Sequence, residues 1–424
     1  MAFGVVAQLT SQLVTIITQL ASLPLLLMRW NADLYGQWLV ISAIPIYLSV
    51  ADFGILNASG NMMSMHRARG ENRELQIVFK ATLFAVSTIV PLIAIAAGVI
   101  LSIFHFGMNS ERSEALFALI LASLLSVASN LFEAMYRPFG KYPKVIVLLA
   151  TARMIEWVGS IAGAFIGGDL RSAAIGYLAG RALATISLYA FARHDVPEIE
   201  WKLAGVDLGR VRHLLRTGAG FISFTLGSLL TLQGMVVLVG TTLGGTAVAI
   251  FASSRTLARL VAQIAVLSGK AMSPEISAMY GANRHEEAER LSKHMIWIAM
   301  SITVLGALAL EQFGPEIWRI WTRGKLVFDR EIFSILLLAA ISTAYWQIQS
   351  VRLTATNRHQ VLASIFLVIS VLSLIAAYLG LPRFRLGAAA AATLLPEMVM
   401  VIGSTVLLHR ARVAVGRSDS HTGS

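Results

Sequence analysis

Long apolar runs constrain this chain more than any other feature of its sequence. Residues 4–27 contain no charged side chain, and residues 76–104 contain only Lys80. Roughly 20 apolar residues span the hydrocarbon core of a bilayer as a helix, whereas the strands of a membrane barrel are about half as long and alternate in polarity. Because a backbone in lipid must satisfy its own hydrogen bonds, these runs predict an all-α integral membrane protein.

Composition extends this prediction to the whole chain. Hydrophobic residues make up 56% of the 424, and Asp, Glu, Lys and Arg make up 13%, about half of the usual share in a soluble domain. We therefore expect about 12 transmembrane helices. The predicted spans are 4–27, 36–64, 76–104, 114–136, 145–167, 172–191, 217–240, 244–271, 290–312, 331–351, 360–381 and 387–408.

The net charge of +11 would suggest a nucleic-acid partner for a soluble protein. Here most Lys and Arg residues lie in short loops on one predicted side of the membrane. The positive-inside rule places that side, with both termini, in the cytoplasm, where basic loops face anionic lipids. We therefore expect no nucleic-acid partner.

The longest connection between spans divides them into six and six. Its second half has a helix N-cap, Asp207, followed by apolar residues on one helical face and arginines around the rest. This pattern predicts a basic amphipathic helix on the inner membrane surface. Similar tetrapeptides follow spans two and eight, as in the internal repeats of secondary transporters. The predicted domains are a six-helix bundle at 1–191, a linker at 192–216, a second six-helix bundle at 217–409 and a cytoplasmic tail at 410–424.

Span one carries a polar stripe. Gln8, Gln12, Thr15, Gln19 and Ser22 fall on one helical face. A helix face in contact with lipid would not contain three glutamines. The stripe therefore predicts one wall of a hydrated cavity, and ordinary interhelical hydrogen bonding remains the alternative.

Span eight places two arginines on one face. Arg255 and Arg259 are four residues apart, so their charges repel each other, and burying each charge unpaired costs a few kcal/mol or more. Water, an acidic side chain or an anionic ligand could offset that cost, and a planar guanidinium suits phosphate oxygens. The alternatives are a static salt bridge to Asp52 or Glu156, or an Arg259 that reaches the interface.

Further charges lie inside the predicted spans. Asp52 is a candidate for proton or ion coupling or for holding an arginine, as intramembrane carboxylates generally are. Arg153 and Glu156 are three residues apart, so we expect them to pair with each other. Arg181 and Glu397 are predicted to be lone charges. The residues expected to bind substrate are Arg255, Arg259, Arg153, Arg181, Gln8, Gln12 and Gln19, and those expected to couple an ion are Asp52, Glu156 and Glu397.

Motifs of soluble enzymes are missing from the sequence. It has no GK[ST] phosphate loop, no H-E-x-x-H and no cysteine, and its histidines lack metal-ligand spacing. The longest predicted outer loop, 313–330, is too short for the large outer loop of a membrane polymerase or ligase. The loop at 66–73 does not match the major-facilitator pattern. We therefore expect a transporter rather than an enzyme, with no cofactor and no metal.

Four tryptophans near the predicted outer interface are interpreted as anchors in an aromatic belt: Trp30, Trp38, Trp318 and Trp321.

Six short segments resemble a known family in their order and spacing. The first three, YGQW, ADFG and ARGE, are similar to the YG … aDlG … ARG pattern of the polysaccharide-transporter branch of the superfamily that joins multidrug, oligosaccharidyl-lipid and polysaccharide exporters. The segments lie at 35–38, 51–54, 68–71, 243–248, 273–277 and 313–321.

The resemblance implies two six-helix bundles around a central cavity that opens to one side at a time. It implies a cargo of oligosaccharide on a polyprenyl pyrophosphate, moved across a bacterial inner membrane for O-antigen, capsule or exopolysaccharide synthesis. H⁺ or Na⁺, a polysaccharide polymerase and assembly proteins are the further partners that it suggests. A cation-coupled multidrug exporter of the same superfamily is the alternative.

Overall fold

A computed structural model describes the backbone of residues 2–50, 54–103, 110–203, 205–218, 222–281, 284–355 and 360–421. Within these ranges the chain consists of helices and their connections. It divides into two compact units, Met1–Thr225 (unit 1) and Leu226–Ser424 (unit 2). The predicted all-α membrane class is confirmed.

The first part of the chain contains eight α-helices, followed by a ninth in which the boundary between the units falls. They are α1 (Ala2–Arg29), α2 (Ala32–Ile46), α3 (Ile55–Ala68), α4 (Asn72–Ile103), α5 (Ser110–Tyr136), α6 (Tyr142–Gly167), α7 (Leu170–Asp195), α8 (Leu208–Gly218) and α9 (Ile222–Leu229). Side-chain caps begin several of them: Oδ1 of Asn31 accepts the Leu34 N–H, and Oδ1 of Asp169 accepts the Ser172 N–H.

After α9, unit 2 has one short helix and four longer ones. They are α10 (Met235–Leu243), α11 (Gly245–Gly281), α12 (His285–Trp321), α13 (Arg330–Ala355) and α14 (Gln360–His421). Helix α13 packs against α11, α12 and α14. A backbone break at Arg385 (φ 48°, ψ −133°) divides α14, close to the connection predicted between spans eleven and twelve.

One predicted span is broken, and another contains an irregular turn. In span two, α2 ends at Ile46 and gives way to a 3₁₀ turn (Tyr47–Val50), and α3 begins at Ile55 after Gly54, whose φ is +70°. In span seven a π-helical turn (Leu230–Gly234) lies between α9 and α10. A single helix over 36–64 was therefore a wrong prediction, whereas Thr225–Leu243 in span seven remains one helical run with a π-helical turn inside it. Pro45 near the end of α2, and a left-handed backbone that favours glycine, account for the break in span two.

Nine helical runs among the described residues are long and apolar enough to cross a membrane. One of them, Val361–Leu408, contains the break at Arg385 and has 48 residues, enough for two crossings at 1.5 Å per residue. The two short helices of span two and the arginine-bearing α11 are not among the nine. A count of 12 is consistent with these helices and stays a prediction.

The helix expected after Asp207 is present as α8. Oδ1 of Asp207 accepts hydrogen bonds from the backbone N–H groups of Gly209 and Arg210, which confirms the N-cap. Leu214 is fully buried against unit 1, whereas Leu208 is 66% exposed. Only part of the predicted apolar face therefore packs on the protein, and the rest is free to contact lipid.

Candidate functional site

Glycines bring helices α6 and α7 into backbone contact. On α6 they recur every fourth residue, at Gly159, Gly163 and Gly167, and on α7 they are Gly176 and Gly180. A Cβ added to Gly176 would lie 2.1 Å from the carbonyl oxygen of Gly159, and one added to Gly180 would lie 2.7 Å from that of Ile155. Small residues at this spacing permit close helix packing in membranes. No larger side chain fits at this crossing.

This crossing places two opposite charges together. Arg181 follows Gly180, and its Nη2 donates to Oε2 of Glu156 over 2.5 Å. Both side chains are buried, at 6% and 2% exposure. The predicted pairing of Glu156 with Arg153 and the predicted isolation of Arg181 were therefore wrong. The contact between helices, not the spacing along α6, selects the partner.

The buried pair is incompletely satisfied. Oε1 of Glu156 and Nε of Arg181 form no hydrogen bond with any described residue. The Tyr177 hydroxyl lies near both charges. A buried carboxylate oxygen without a partner is costly, and the Tyr177 hydroxyl is the neighbouring group that can supply the missing hydrogen bond.

Glu156 lines a pocket of about 580 Å³ within unit 1, which we call the unit 1 pocket. Its walls come from α1, α2, α5, α6 and α7, and it contains one further charged side chain, Arg153. Nη2 of Arg153 donates to the Ser11 hydroxyl over 2.5 Å. The structure thus brings Arg153 and Glu156 to one pocket without pairing them.

The polar stripe of span one is divided by this pocket. Gln19 and Ser22 line it, and the Ser22 hydroxyl also accepts the indole N–H of Trp157 over 2.8 Å. Gln8 and Gln12 do not line it. Thr15 donates to a carbonyl of its own helix. One end of the stripe therefore faces a cavity.

The tryptophans interpreted as interface anchors have other positions. Trp30 and Trp318 are each 1% exposed, and their indole N–H groups donate to the carbonyls of Gly168 and Leu326. Trp38 lines the unit 1 pocket. The interpretation was wrong for Trp30 and Trp318. A tryptophan at the end of an apolar run can anchor the helix in the membrane interface or pack in the core at a helix end, and the sequence alone does not distinguish the two.

Arg255 is held by backbone and by an aromatic ring in unit 2. Its Nη1 donates to the carbonyl oxygen of Leu232 over 2.8 Å, and its guanidinium carbon lies 5.4 Å from the ring centre of Phe251. Leu232 belongs to the π-helical turn, where regular hydrogen bonding is interrupted. Arg255 is only partly buried and has no acidic group within 4.0 Å among the described residues.

Arg259 and Glu397 occupy the same unit without a direct ion pair. The two side chains attract each other electrostatically, and among the described residues neither has an oppositely charged group within 4.0 Å. Oε2 of Glu397, a residue at 9% exposure, accepts the indole N–H of Trp346 over 2.5 Å. Glu397 therefore has no direct ion pair among the described residues, as predicted, and its carboxylate is held by a neutral donor.

Asp52 is the last candidate predicted from the sequence, and a charged cluster around Asp195 was not predicted. Asp52 lies outside the described residues, so its predicted role stays a prediction. No group of three or more metal-binding side chains occurs among the described residues. Asp195, at the end of α7, accepts the Tyr136 hydroxyl over 2.8 Å and pairs with Lys144 at 2.6 Å. Its one sequence signal was the pair of lysines at the start of α6, Lys141 and Lys144.

Solved structures with this fold include transporters and a flippase. An inward-facing multidrug resistance MATE family transporter of the MOP superfamily aligns with a TM-score of 0.74 at 15% identity, covering 95% of this chain and 99% of that one. The lipid II flippase MurJ, in an inward closed conformation, aligns at 0.67 and 12%, covering 96% and 88%. A MOP superfamily transporter from Pyrococcus furiosus aligns at 0.63 and 14%, covering 97% and 95%.

These likenesses establish the fold. No curated protein matches the chain. The profile of a family described as "Polysaccharide biosynthesis protein" matches residues 39–300, more than half of the sequence. The chain has the fold of the MOP superfamily transporters and belongs to the polysaccharide biosynthesis protein family.

Proposed function

We propose that this protein is a flippase that moves a polyprenyl-pyrophosphate-linked oligosaccharide from the inner to the outer leaflet by alternating access. The observation that carries the proposal is the arginine pair of α11. Arg255 and Arg259 lie four residues apart and have no acidic group within 4.0 Å among the described residues. A charge held in a membrane protein without a partner is costly and is typically functional.

Phosphate chemistry fits these arginines. A guanidinium presents its N–H donors in a planar fork that matches phosphate oxygens two at a time. Arg255 uses one donor on the Leu232 carbonyl, and a pyrophosphate would offset the repulsion between the two cations. In this proposal Arg255 and Arg259 bind the pyrophosphate, and the unit 1 pocket with Gln19 and Arg153 binds sugar. Gln8, Gln12 and Arg181 are secondary candidates for substrate contact.

Coupling to H⁺ or Na⁺ is the second part of the proposal. Of the acids predicted for this role, Glu156 is already paired with Arg181, and neutralising it would leave a buried cation. Glu397 has a neutral donor and a more distant arginine. Glu397 is therefore the better of the described candidates, with Asp52 as a further one.

The proposed setting is a bacterial inner membrane with both termini in the cytoplasm. The exposed leucine of α8 and the arginines beside it suit an anionic lipid surface. A polysaccharide polymerase and assembly proteins would take over the cargo on the outer side.

Translocation in proteoliposomes tests the function. Purified protein is reconstituted with a fluorescent polyprenyl-pyrophosphate oligosaccharide, and a membrane-impermeant reagent measures transfer between leaflets, with and without a pH gradient. Transfer should require the protein and fall at least about ten-fold in Arg255→Ala, since a hydrogen bond to a charged group contributes about 1.5–3 kcal/mol. Arg319→Ala, which removes an exposed arginine paired with Glu316, is the matched control. Transfer at the protein-free rate would exclude the flippase function.

A cation-coupled multidrug exporter is the second candidate. Glu156 lines a pocket that also contains Trp38 and Trp157, and a carboxylate among aromatic rings suits an organic cation. Deletion of the gene separates the two. Drug sensitivity with normal surface polysaccharide supports the exporter, and loss of surface polysaccharide with normal drug resistance supports the flippase.

A further inference from the structure

We infer that the unit 1 pocket binds a sugar of the cargo that carries a carboxylate, such as a uronic acid, with Arg153 as the anchor of that carboxylate. The inference rests on the proposed function, because it names the chemistry of the saccharide that the flippase would carry. The size, the walls and the charge of the pocket carry it.

The volume and the aromatic walls suit a saccharide. At about 580 Å³, the pocket falls in the range of roughly 300–1,000 Å³ that is usual for small-molecule sites. Trp38 and Trp157 line it, and a flat ring offers an apolar surface to the C–H face of a pyranose. The hydrogen bond from the Trp157 indole to Ser22 fixes the orientation of that ring.

The hydroxyl groups of the pocket are arranged as acceptors. Ser42 donates to the carbonyl of Leu39, and Ser123 donates to that of Pro45 over 2.7 Å. Each serine hydroxyl has one proton and two lone pairs, so these oxygens remain able to accept. A sugar, whose rim consists of O–H donors, matches such a pocket.

Charge selects an acidic sugar. Arg181 neutralises Glu156 at 2.5 Å, which leaves Arg153 as the uncompensated charge among the residues that line the pocket. One Nη of Arg153 is engaged by Ser11, and its other N–H groups have no hydrogen-bond partner among the described residues. A fork of free N–H donors binds a carboxylate with two parallel hydrogen bonds.

A sugar carboxylate fits this pocket better than the phosphate of the carrier. With Glu156 neutralised by Arg181, Arg153 is the single charge that the pocket offers to an anion, so a dianionic or trianionic group would keep uncompensated negative charge there. A single negative charge balances a single free guanidinium. The two arginines of α11, which have no acidic group within 4.0 Å among the described residues, suit the more highly charged pyrophosphate.

Binding of free sugars to the full-length protein in nanodiscs tests this inference. Saturation-transfer NMR and calorimetry would compare glucuronate, glucose and inorganic pyrophosphate. Glucuronate should bind about ten-fold or more tighter than glucose, because a bidentate contact to a charged group is worth a factor of about 10 to 100. Arg153→Gln should reduce glucuronate to the level of glucose, Arg153→Lys should restore part of the preference, and the exposed Arg319→Gln should change nothing.

Several outcomes would overturn the inference. These are equal binding of glucuronate and glucose, an unchanged preference in Arg153→Gln, no detectable sugar binding, or pyrophosphate binding that depends on Arg153. Transfer measurements in proteoliposomes distinguish a wrong assignment of the sugar site from a wrong assignment of the flippase function. Equal transfer of carriers with neutral and acidic oligosaccharides would refute the acidic-sugar site and leave the flippase intact. Arg153-dependent glucuronate binding without any transfer would refute the flippase and leave the saccharide site.

Discussion

The two units hold their embedded arginines in different ways. In unit 1, Arg181 is 6% exposed and contacts Glu156 at 2.5 Å, across a helix crossing packed by glycines. In unit 2, Arg255 is partly buried and held by one carbonyl and one ring, with no acid within 4.0 Å among the described residues.

This difference separates a structural charge from an available one. A buried ion pair matters for the stability of the protein mainly because removing one partner leaves the other charge buried and unpaired, in a medium of low dielectric constant. A partly buried arginine with a neutral partner has no counterion to lose, so it can accept an anionic ligand. We therefore expect variants of the Arg181–Glu156 pair to change stability and variants at Arg255 to change transport.

Glu156→Gln should produce the largest loss of stability. It leaves Arg181 buried without a counterion, which costs about 3–5 kcal/mol. Thermal unfolding of the purified protein measures the loss. The double variant Glu156→Gln/Arg181→Met should recover most of it, and Glu316→Gln, in an exposed pair with Arg319, should cost at most about 1 kcal/mol. A double variant no more stable than the single one would show that the pair is not what holds this region.

Gly176→Ala should produce the second-largest loss of stability, because the new Cβ would lie 2.1 Å from the carbonyl oxygen of Gly159. A clash with backbone cannot be relieved by a rotamer change, so α6 and α7 must separate, at a cost of about 3 kcal/mol. The thermal midpoint reports the effect. Gly387→Ala, where a Cβ meets nothing within 4 Å, is the matched control, and equal midpoints for the two variants would contradict the close crossing.

Trp346→Phe should have a smaller effect in unit 2. It keeps an aromatic ring beside Phe366 but removes the N–H that Glu397 accepts, a loss of about 2 kcal/mol for a hydrogen bond to a charged group. Trp297→Phe, at a position 76% exposed, controls for the loss of an indole. If both variants unfold at the same temperature as the parent, the indole does not stabilise Glu397.

Arg255→Met should have the smallest effect on stability and a large one on transport. It removes one hydrogen bond and one unpaired charge, and these changes oppose each other, so the unfolding free energy should change by less than about 1 kcal/mol. Translocation should fall about 10- to 100-fold. Arg181→Met provides the contrast, since it should lower the thermal midpoint. A drop in stability for Arg255→Met as large as that for Arg181→Met would remove the distinction between the units.

The candidate site could be anticipated from sequence in part. Charges inside apolar runs are visible without a structure, which is why Arg255, Glu156 and Glu397 stood out. Their partners are not visible, because Arg153 and Arg181 are both plausible for Glu156 and only one lies on the helix that packs against it. The glycines at 159, 163 and 167 were a usable signal for that close packing. The residues that line the pocket were harder to predict from the sequence, since Trp38 resembles an interface anchor until its neighbours are known.

By itself the sequence determined the membrane class, most of the helical segments and the cap at Asp207, because these depend on local composition and on hydrogen bonds between near neighbours. Only the tertiary structure decided that Glu156 pairs with Arg181, that Gln19 faces a pocket while Gln8 does not, and that Arg255 bonds to the backbone of an interrupted helix. Those contacts depend on the register and separation of helices that are distant in the chain. A single sequence specifies them only through the packing of the whole unit.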